Sequence, residues 1–452
     1  MSDNASIVTT GFEIISIDVV LKNGKEISLK GLYQEINLYD SVFSHCLTGN
    51  ILITDSIGLI NNLQFDGQEG ILIKIGKTRE EIIFQQSYRI HKLSNRKNIN
   101  QNSEMYVLHF ISDEYIFSSQ QKVNQVFTNS TYTQMVVQVL ANYLGVKKMV
   151  LNNSEGLHTK QMPNLSPLDT VAWISKRALD EKKSPSFLFF ENRYGYNFVS
   201  LNDLIKKQEP YNNPIRVTFD PKNLGESENF NEEFYGARYI SVINQYDVVD
   251  NIESGVYAST LIGFDPITRT VKTKNLSFGD HYNGRNHLND NSNYVEFNNQ
   301  KDISRIAKTN LKSFDSRKLL YPVAYDRGTS KYIQNNDKNS ITYAENPDYL
   351  LERKAIMKNL MTKRVRVVVP GNFRFTTGQT VLLNLPERQE QTSDNKDESL
   401  FGNYLIIGAR HIITYNKHET VFDAVTDSNS ADPKKYSHSS SAVTEKIAQF
   451  TI

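Results

Sequence analysis

Nine histidines, one cysteine and fifty acidic residues are the chain's material for chemistry, and their spacing decides which reactions are open. His281 and His287 flank the segment HYNGRNH, where a metal clip competes with the plainer reading of two exposed loop histidines among Asn and Arg. His411 and His418 bracket Tyr415-Asn416-Lys417, so they face each other across an expected hairpin and are read as cross-strand packing. Asn289–Phe297 (NDNSNYVEF) is rich in oxygen donors, but it lacks the glycine that a calcium loop carries at its sixth position. Cys46, in SHCLTG, has no neighbour to lower its pKa and is read as a small packed residue on a strand. One cysteine also excludes an internal disulfide and any multi-cysteine metal site. The chain has no Gly-x-Ser-x-Gly elbow, no phosphate-cradling Gly-x4-Gly-Lys-Ser/Thr loop and no His-Glu-x-x-His helix. No pair among the acids stands out for general acid–base work. No catalytic, cofactor-binding or metal site is therefore predicted.

The best basic cluster is Lys363-Arg364-Val365-Arg366. On a strand its residues alternate, Lys363 and Val365 to one face, Arg364 and Arg366 to the other. The expectation is a solvated strand edge protected by charge, with an electrostatic contact to a partner subunit as the alternative. Globally, 51 Lys plus Arg face 50 Asp plus Glu, a net charge of +1. Nucleic acid as a primary ligand is thereby disfavoured, because phosphate binding draws its affinity from a basic excess.

With 452 residues, 39% hydrophobic and 22% charged, the chain can fill several cores, and about two to four domains are expected. The N-terminus MSDNASIVTT has no basic segment or apolar run, so no signal peptide is predicted. No stretch approaches the roughly 20 apolar residues of a membrane span. Tyr and Phe number 24 and 23 against a single Trp, a bias that suits sheets and interfaces.

The elements are mostly strands. GFEIISIDVVLKNGKEISL reads as a hairpin around Asn23-Gly24, and Asp55–Ile60 as a short helical plug. Thr131 caps a helix over TYTQMVVQVLANYL that Gly145 stops. Ser166 and Pro167 open a second helix carrying Trp173, and residues 192–195 turn a hairpin. Another helix follows Pro347 and Asp348.

One pattern occurs twice, about three hundred residues apart. DGQEGILIKI (Asp66–Ile75), FQQSYRIHKL (Phe84–Leu93) and SEMYVLHFIS (Ser103–Ser112) are matched by TGQTVLLNL (Thr377–Leu385), FGNYLIIGARHII (Phe401–Ile413) and HETVFDAVT (His418–Thr426). Each copy opens on a Gly-Gln turn, and the spacing from Tyr88 to Tyr106 equals that from Tyr404 to Phe422. The predicted fold is mainly β with an α+β insertion: two tube-like β-barrel domains in one chain plus a helix-containing module. The expected division is 1–125 for the first barrel, 126–232 for the helix–hairpin module, 233–262 with 350–426 for the second barrel, 263–349 for an irregular insertion and 427–452 for a polar tail.

In this order the segments resemble the baseplate hub protein of T-even-like contractile-tailed bacteriophages. Leu38–Ile75 resembles that family's first tube-domain strands. MPNLSPLDTVAWISKRAL with Ser186–Tyr211 resembles its helix–hairpin module, VYASTLIGFDPITR a later strand, and GNFRFTTGQTVLLNL through FGNYLIIGARHII its second tube domain. The resemblance implies a structural, non-enzymatic homotrimer that adapts a hexameric tail tube to a trimeric central spike. It implies contacts with the spike, the tube and other baseplate proteins, with DNA only as cargo in the channel. No cofactor and no stable membrane insertion are implied, and the place is the virion tail baseplate, assembled in the bacterial host cytoplasm. The hub of a bacterial secretion or tail-like device shares the fold and stays open. So do a cell-wall hydrolase with its site in 279–345 and a carbohydrate-reading module, although Trp173 lies on an amphipathic helix rather than on a platform.

Overall fold

The computed structural model of the chain describes residues 12–60, 65–76, 82–206, 215–218, 236–265, 269–292, 316–322, 349–385 and 399–430. The first β-unit is built from β1 (Glu13–Val20), β2 (Glu26–Ser28), β3 (Tyr33–Ser41), β4 (Thr48–Asp55), β5 (Gly70–Gly76), β6 (Ile82–Asn100) and β7 (Ser103–Ile111). Its strands lie in the order β1-β5-β6-β7-β4-β3, every pair antiparallel, with β2 returning on β1. Gly24 takes φ 78° in that return, a conformation open to glycine at no cost. Period-two patterning sorts the faces: Ile51 and Ile53 of β4 and Ile71, Ile73 and Ile75 of β5 all point into the core with Tyr88, Tyr106 and Phe110. Each such burial stabilises by about 1.5–3 kcal/mol before chain entropy is counted. The plug after β4 begins as expected. The Asp55 carboxylate accepts hydrogen bonds from the N–H groups of Ile57 (2.9 Å) and Leu59 (2.6 Å), and Leu59 is seated in the core.

The helical module follows: α1 (Asp113–Ser119), β8 (Val126–Ser130), α2 (Tyr132–Leu144), β9 (Met149–Leu151), β10 (His158–Gln161), α3 (Pro167–Ser175), β11 (Phe187–Asn192), β12 (Gly195–Ser200) and α4 (Leu201–Ile205). Local chemistry sets its boundaries. Thr131 and Gln134 form a reciprocal capping box, Gly145 ends α2 at φ 65°, and Ser166 caps α3 ahead of Pro167. The two helices bury Met135, Val136, Val139, Leu140, Val171 and Ile174 against the sheet β11-β12-β9.

The remainder comprises β13 (Ile215–Thr218), β14 (Tyr239–Asn244), α5 (Val248–Glu253), β15 (Ala258–Asp265), β16 (Thr270–Ser277), α6 (Phe278–Tyr282), β17 (Asn291–Ser292), β18 (Arg317–Pro322), α7 (Tyr349–Met361), β19 (Lys363–Pro370), β20 (Thr380–Asn384), β21 (Gly402–Thr414), β22 (His418–Thr426) and β23 (Ser428–Asn429). Six of these strands make the second unit, in the order β13-β20-β21-β22-β19-β14. Paired in chain order with β1 and β3 to β7, they repeat the first unit's strand order. The one difference of direction is β13, parallel to β20 where β1 is antiparallel to β5. A separate core fills this unit, with Val365, Val367, Val381, Tyr404, Ile406 and Phe422.

The repeat extends to the register. Ile90 donates to the Glu69 carbonyl and Ile406 to that of Gln379, both at 2.9 Å. The ladder breaks just afterwards in each copy, at Ile90/Lys92 and at Ile406/Gly408. Tyr88 and Tyr404 are thus equivalent. Phe422, however, corresponds to Leu108 and not to Tyr106, because Ile90 pairs with Phe110 while Ile406 pairs with Ala424. The equal spacing in the sequence conceals a longer, bulged β6–β7 ladder.

Three placements differ from the sequence reading. β15, expected in the second barrel, forms its own sheet with β16 and β18. β13, expected with the helical module, crosses to β20. Asp427–Asn429, expected in the polar tail, are buried or half-buried at the end of the second unit, with β23 on β17. Parallel and long-range pairings leave no local periodicity to read. The two units are joined edge to edge, β21 Gly408–Thr414 running antiparallel to β3 Ser41–Glu35, so thirteen strands of the described residues form one sheet.

Candidate functional site

The residues singled out in the sequence are scattered, and most of those described are engaged in packing or hydrogen bonds. His287 Nδ1 lies 2.8 Å from Asp427 Oδ2 and its Nε2 2.8 Å from the Tyr282 carbonyl, with its ring stacked on Tyr282. It is half-buried rather than an exposed loop histidine, while His281 is exposed. Asn289, first of the possible calcium donors, is spent on the backbone of Asn403 (2.7 Å to its N–H, 3.1 Å to its carbonyl) and on Thr426 Oγ1. Residues 293–297 of that segment lie outside the described residues. No group of three or more His, Cys, Asp or Glu among the described residues has a metal-holding arrangement. Cys46 is buried on the β3–β4 connection, not on a strand, and burial pushes its thiol up to about 11.

The basic cluster is also relocated. β19 lies between β14 and β22, so it is an interior strand and not an edge. Asp423 on β22 binds both arginines, Arg364 Nη2 at Oδ2 and Arg366 through Nε (2.7 Å) and Nη2 (3.1 Å). Lys363 is buried, and its Nζ donates to Asn429 Oδ1 and the Ser399 carbonyl. His411 and His418 are both buried, 3.3 Å apart at Nδ1 and Nε2. Burial holds both imidazoles below their usual pKa, His418 at about 3, so they pack in the neutral form.

What the structure brings together is a three-way junction that sequence reasoning missed. Asp40, at the end of β3, is half-buried, with its carboxylate enclosed against the turn that opens the second repeat. Its Oδ2 accepts from Thr376 Oγ1 and from the Thr377 N–H (3.0 Å), just before Gly378 at φ 86°. The module's β11–β12 turn reaches the same place: Asn192 Nδ2 donates to the Thr377 carbonyl at 2.8 Å and Arg193 Nη1 to that of Phe373 at 2.5 Å. Phe373 stacks on Phe84 of β6 with ring centroids 4.6 Å apart. One residue before that turn, Glu191 Oε2 accepts from Ser112 Oγ (2.6 Å) and the Leu47 N–H (2.9 Å), tying the module to the first unit.

Desolvation dominates both acids. It raises the Asp40 carboxyl to about 6 and the Glu191 carboxyl to about 7 against the opposing hydrogen bonds. Their hydrogen bonds hold three bodies in one geometry. A signal for Glu191 existed: it is the one acid in FLFFEN, a strand buried along its whole length, where a carboxylate needs partners. Asp40, the next-to-last residue of β3, carried no such mark.

The chain is similar in fold to two solved tail proteins. The tail protein from Neisseria meningitidis MC58 aligns with a TM-score of 0.52 at 10% identity, covering 92% of this chain and 97% of that one. The 43 kDa tail protein of prophage MuSo2 from Shewanella oneidensis gives 0.50 at 10% identity, covering 91% and 98%. In sequence, the chain is 21% identical over 428 residues to the probable baseplate hub protein gp334 of Vibrio phage KVP40, covering 93% of this chain and 95% of that protein. The resemblance to baseplate hub proteins thus runs along nearly the whole chain. No family model matches it.

Proposed function

We propose that the chain is a structural baseplate hub of a contractile phage tail, whose three copies close a ring that adapts a hexameric tail tube to a trimeric central spike. The observation that carries this reading is the strand order repeated twice in one chain. Three chains with two similar units each offer six similar surfaces to a sixfold tube and keep threefold symmetry for a spike. The partners are then further copies of itself, the spike, the tube protein and other baseplate proteins, with DNA only as cargo through the channel. The protein works in the virion after assembly in the host cytoplasm. No described helix is long and apolar enough to cross a membrane.

The role is mechanical and not enzymatic. In support, Cys46 is buried, and His287, Asn289, Lys363, Arg364, Arg366, His411 and His418 are each engaged in hydrogen bonds or packing. The test is particle symmetry with the cognate spike by electron microscopy: three copies are expected, and a dimer or a ring of six copies overturns the reading. Incubation of the purified chain with peptidoglycan is expected to release no fragments, and cleavage would sink the non-enzymatic role.

A further inference from the structure

The end of the second unit is closed through one imidazole. His287 lies between α6 and β17, with its side chain 17% exposed. Its Nδ1 is 2.8 Å from Asp427 Oδ2 and its Nε2 2.8 Å from the Tyr282 carbonyl. A backbone carbonyl only accepts, and so does an ionised carboxylate. A neutral imidazole carries one N–H and can satisfy one of these two contacts. The other would set two lone pairs against each other at hydrogen-bond distance. Protons on both ring nitrogens satisfy both contacts. The rest of the setting agrees. The ring lies flat on Tyr282, with centroids 3.8 Å apart and planes at 12°, so a charged ring would meet the negative face of an aromatic one. Asp427 Oδ1 accepts from the Leu288 N–H (3.1 Å) and from Ser428 Oγ (3.0 Å), as a carboxylate does.

We infer that His287 is held with both ring protons and serves as a proton-dependent clasp, closing the segment 282–289 onto the end of the second unit. The one other placement, a protonated Asp427 donating to a neutral ring, puts the same extra proton between the same two atoms. The charges around the ring fit this role. On its own segment, Arg285 is paired with Glu352 of α7 at 2.5 Å, and Asp290 is exposed. From the module side, the buried Asp180 acts on Arg285 as Asp427 does. Two amines reach neighbouring amides: Lys182 Nζ donates to Asn286 Oδ1 and Lys363 Nζ to Asn429 Oδ1. The clasp also reaches the last strand pair. The Asp427 carbonyl accepts from Tyr282 Oη (3.0 Å), and the next two residues form β23 on β17. A proton bound in the folded state stabilises at low pH, and that contribution is lost as pH rises. Once one ring proton leaves, one of the two 2.8 Å contacts has no hydrogen, and the hold on β17 and β23 weakens.

Nitrogen NMR of the full-length chain, labelled at its histidine nitrogens, reads the proton directly, and His287→Gln identifies the resonances. At about pH 7, where histidine charge is set by its surroundings, both nitrogens of His287 are expected at protonated shifts. One bare nitrogen overturns the inference. Asp427→Asn keeps Oδ1 for the Leu288 N–H and turns the other position into a donor towards Nδ1. It should make His287 a neutral ring with the fold retained, and a ring that stays doubly protonated in this variant overturns the inference too. Hydrogen exchange gives the local consequence. Corrected for intrinsic rates, the amides of β17 and β23 should exchange at least about tenfold faster at about pH 9 than at about pH 6 in wild type, and equally at both in Asp427→Asn. Both chains keep Glu191, so its own response to pH cancels. The same acceleration in both chains would sink the clasp. Should Asp427→Asn fail to fold, the wild-type nitrogen shifts decide alone.

Discussion

Gly49 and Phe110 face each other across the β4–β7 ladder, and a Cβ on Gly49 would come within 2.3 Å of the Phe110 ring. The equivalent pair in the second unit is Val365 and Ala424, across β19 and β22. Large and small have changed sides, and the pair's fit survives without either residue. Such exchanges explain how two units keep one strand order while their sequences drift apart, since a core constrains summed volume more than identity.

Gly49→Val alone is expected to destabilise the chain by about 1–3 kcal/mol through overpacking, and Phe110→Ala alone by about 3–5 kcal/mol through the cavity it leaves. The double substitution copies the second unit and should recover about 1–3 kcal/mol of the sum. Urea unfolding of all four chains measures this cycle, and strict additivity would refute the exchange.

Glu191 gives a pH dependence whose sign is opposite to that of an exposed salt-bridged acid. Burial raises its carboxyl to about 7 against about 4.3 in an unfolded chain. Its contribution is full below about pH 4 and is lost as pH rises through 7. Glu191→Gln keeps an acceptor oxygen for Leu47 and Ser112, so it should match wild type at pH 4 and exceed it by about 3 kcal/mol at pH 9. Asp40→Asn should act in the same direction over a lower range, since its carboxyl is raised to about 6. Denaturation midpoints across pH decide it; equal slopes for variant and wild type rule the mechanism out.

What was legible in the sequence was local. Thr131 caps its helix through a residue three positions away, as does Ser166, and Gly145 acts on the turn it ends, so each could be read in place. The Gly-Gln turns and alternating strands exposed the duplication for the same reason. The junction was not legible, because Asp40 meets Thr376 across 336 positions and Asn192 meets Thr377 across 185. The misread edge at Lys363–Arg366 has the same origin. Charge on a strand suggests solvent until Asp423 is seen to arrive from the neighbouring strand.

That arrangement predicts a modest, salt-sensitive effect. Arg366 is half exposed, and Arg364 about a third, so water screens the pair and Asp423→Asn should cost only about 1 kcal/mol. The cost should shrink as salt is raised from about 0.01 to 1 M, where the Debye length falls from about 30 to 3 Å. A loss several times larger, or one indifferent to salt, would mean that Asp423 serves the core rather than the strand surface.

His411 and His418 set the acid limb. Their rings pack with Phe373, centroids 4.7 and 4.8 Å away, and Phe12 meets the edge of His418. Thr420 Oγ1 lies 3.0 Å from His411 Nδ1, so the pair is satisfied as neutral imidazoles. With His418 held at about 3 and an unfolded value of about 6.5, its contribution is present above pH 6.5 and is lost as pH falls towards 3. Asp40 and Glu191 tilt stability the other way over an overlapping range, so wild type should show a shallower acid limb than the histidines alone would give. Removing His418 exposes its share. Between pH 7 and pH 4, His418→Leu should lose about 3 kcal/mol less than wild type, whatever the packing change costs at neutral pH. Midpoints of urea unfolding at the two pH values test this, and an acid loss equal to that of wild type would show that the buried pair takes up its protons without unfolding the second unit.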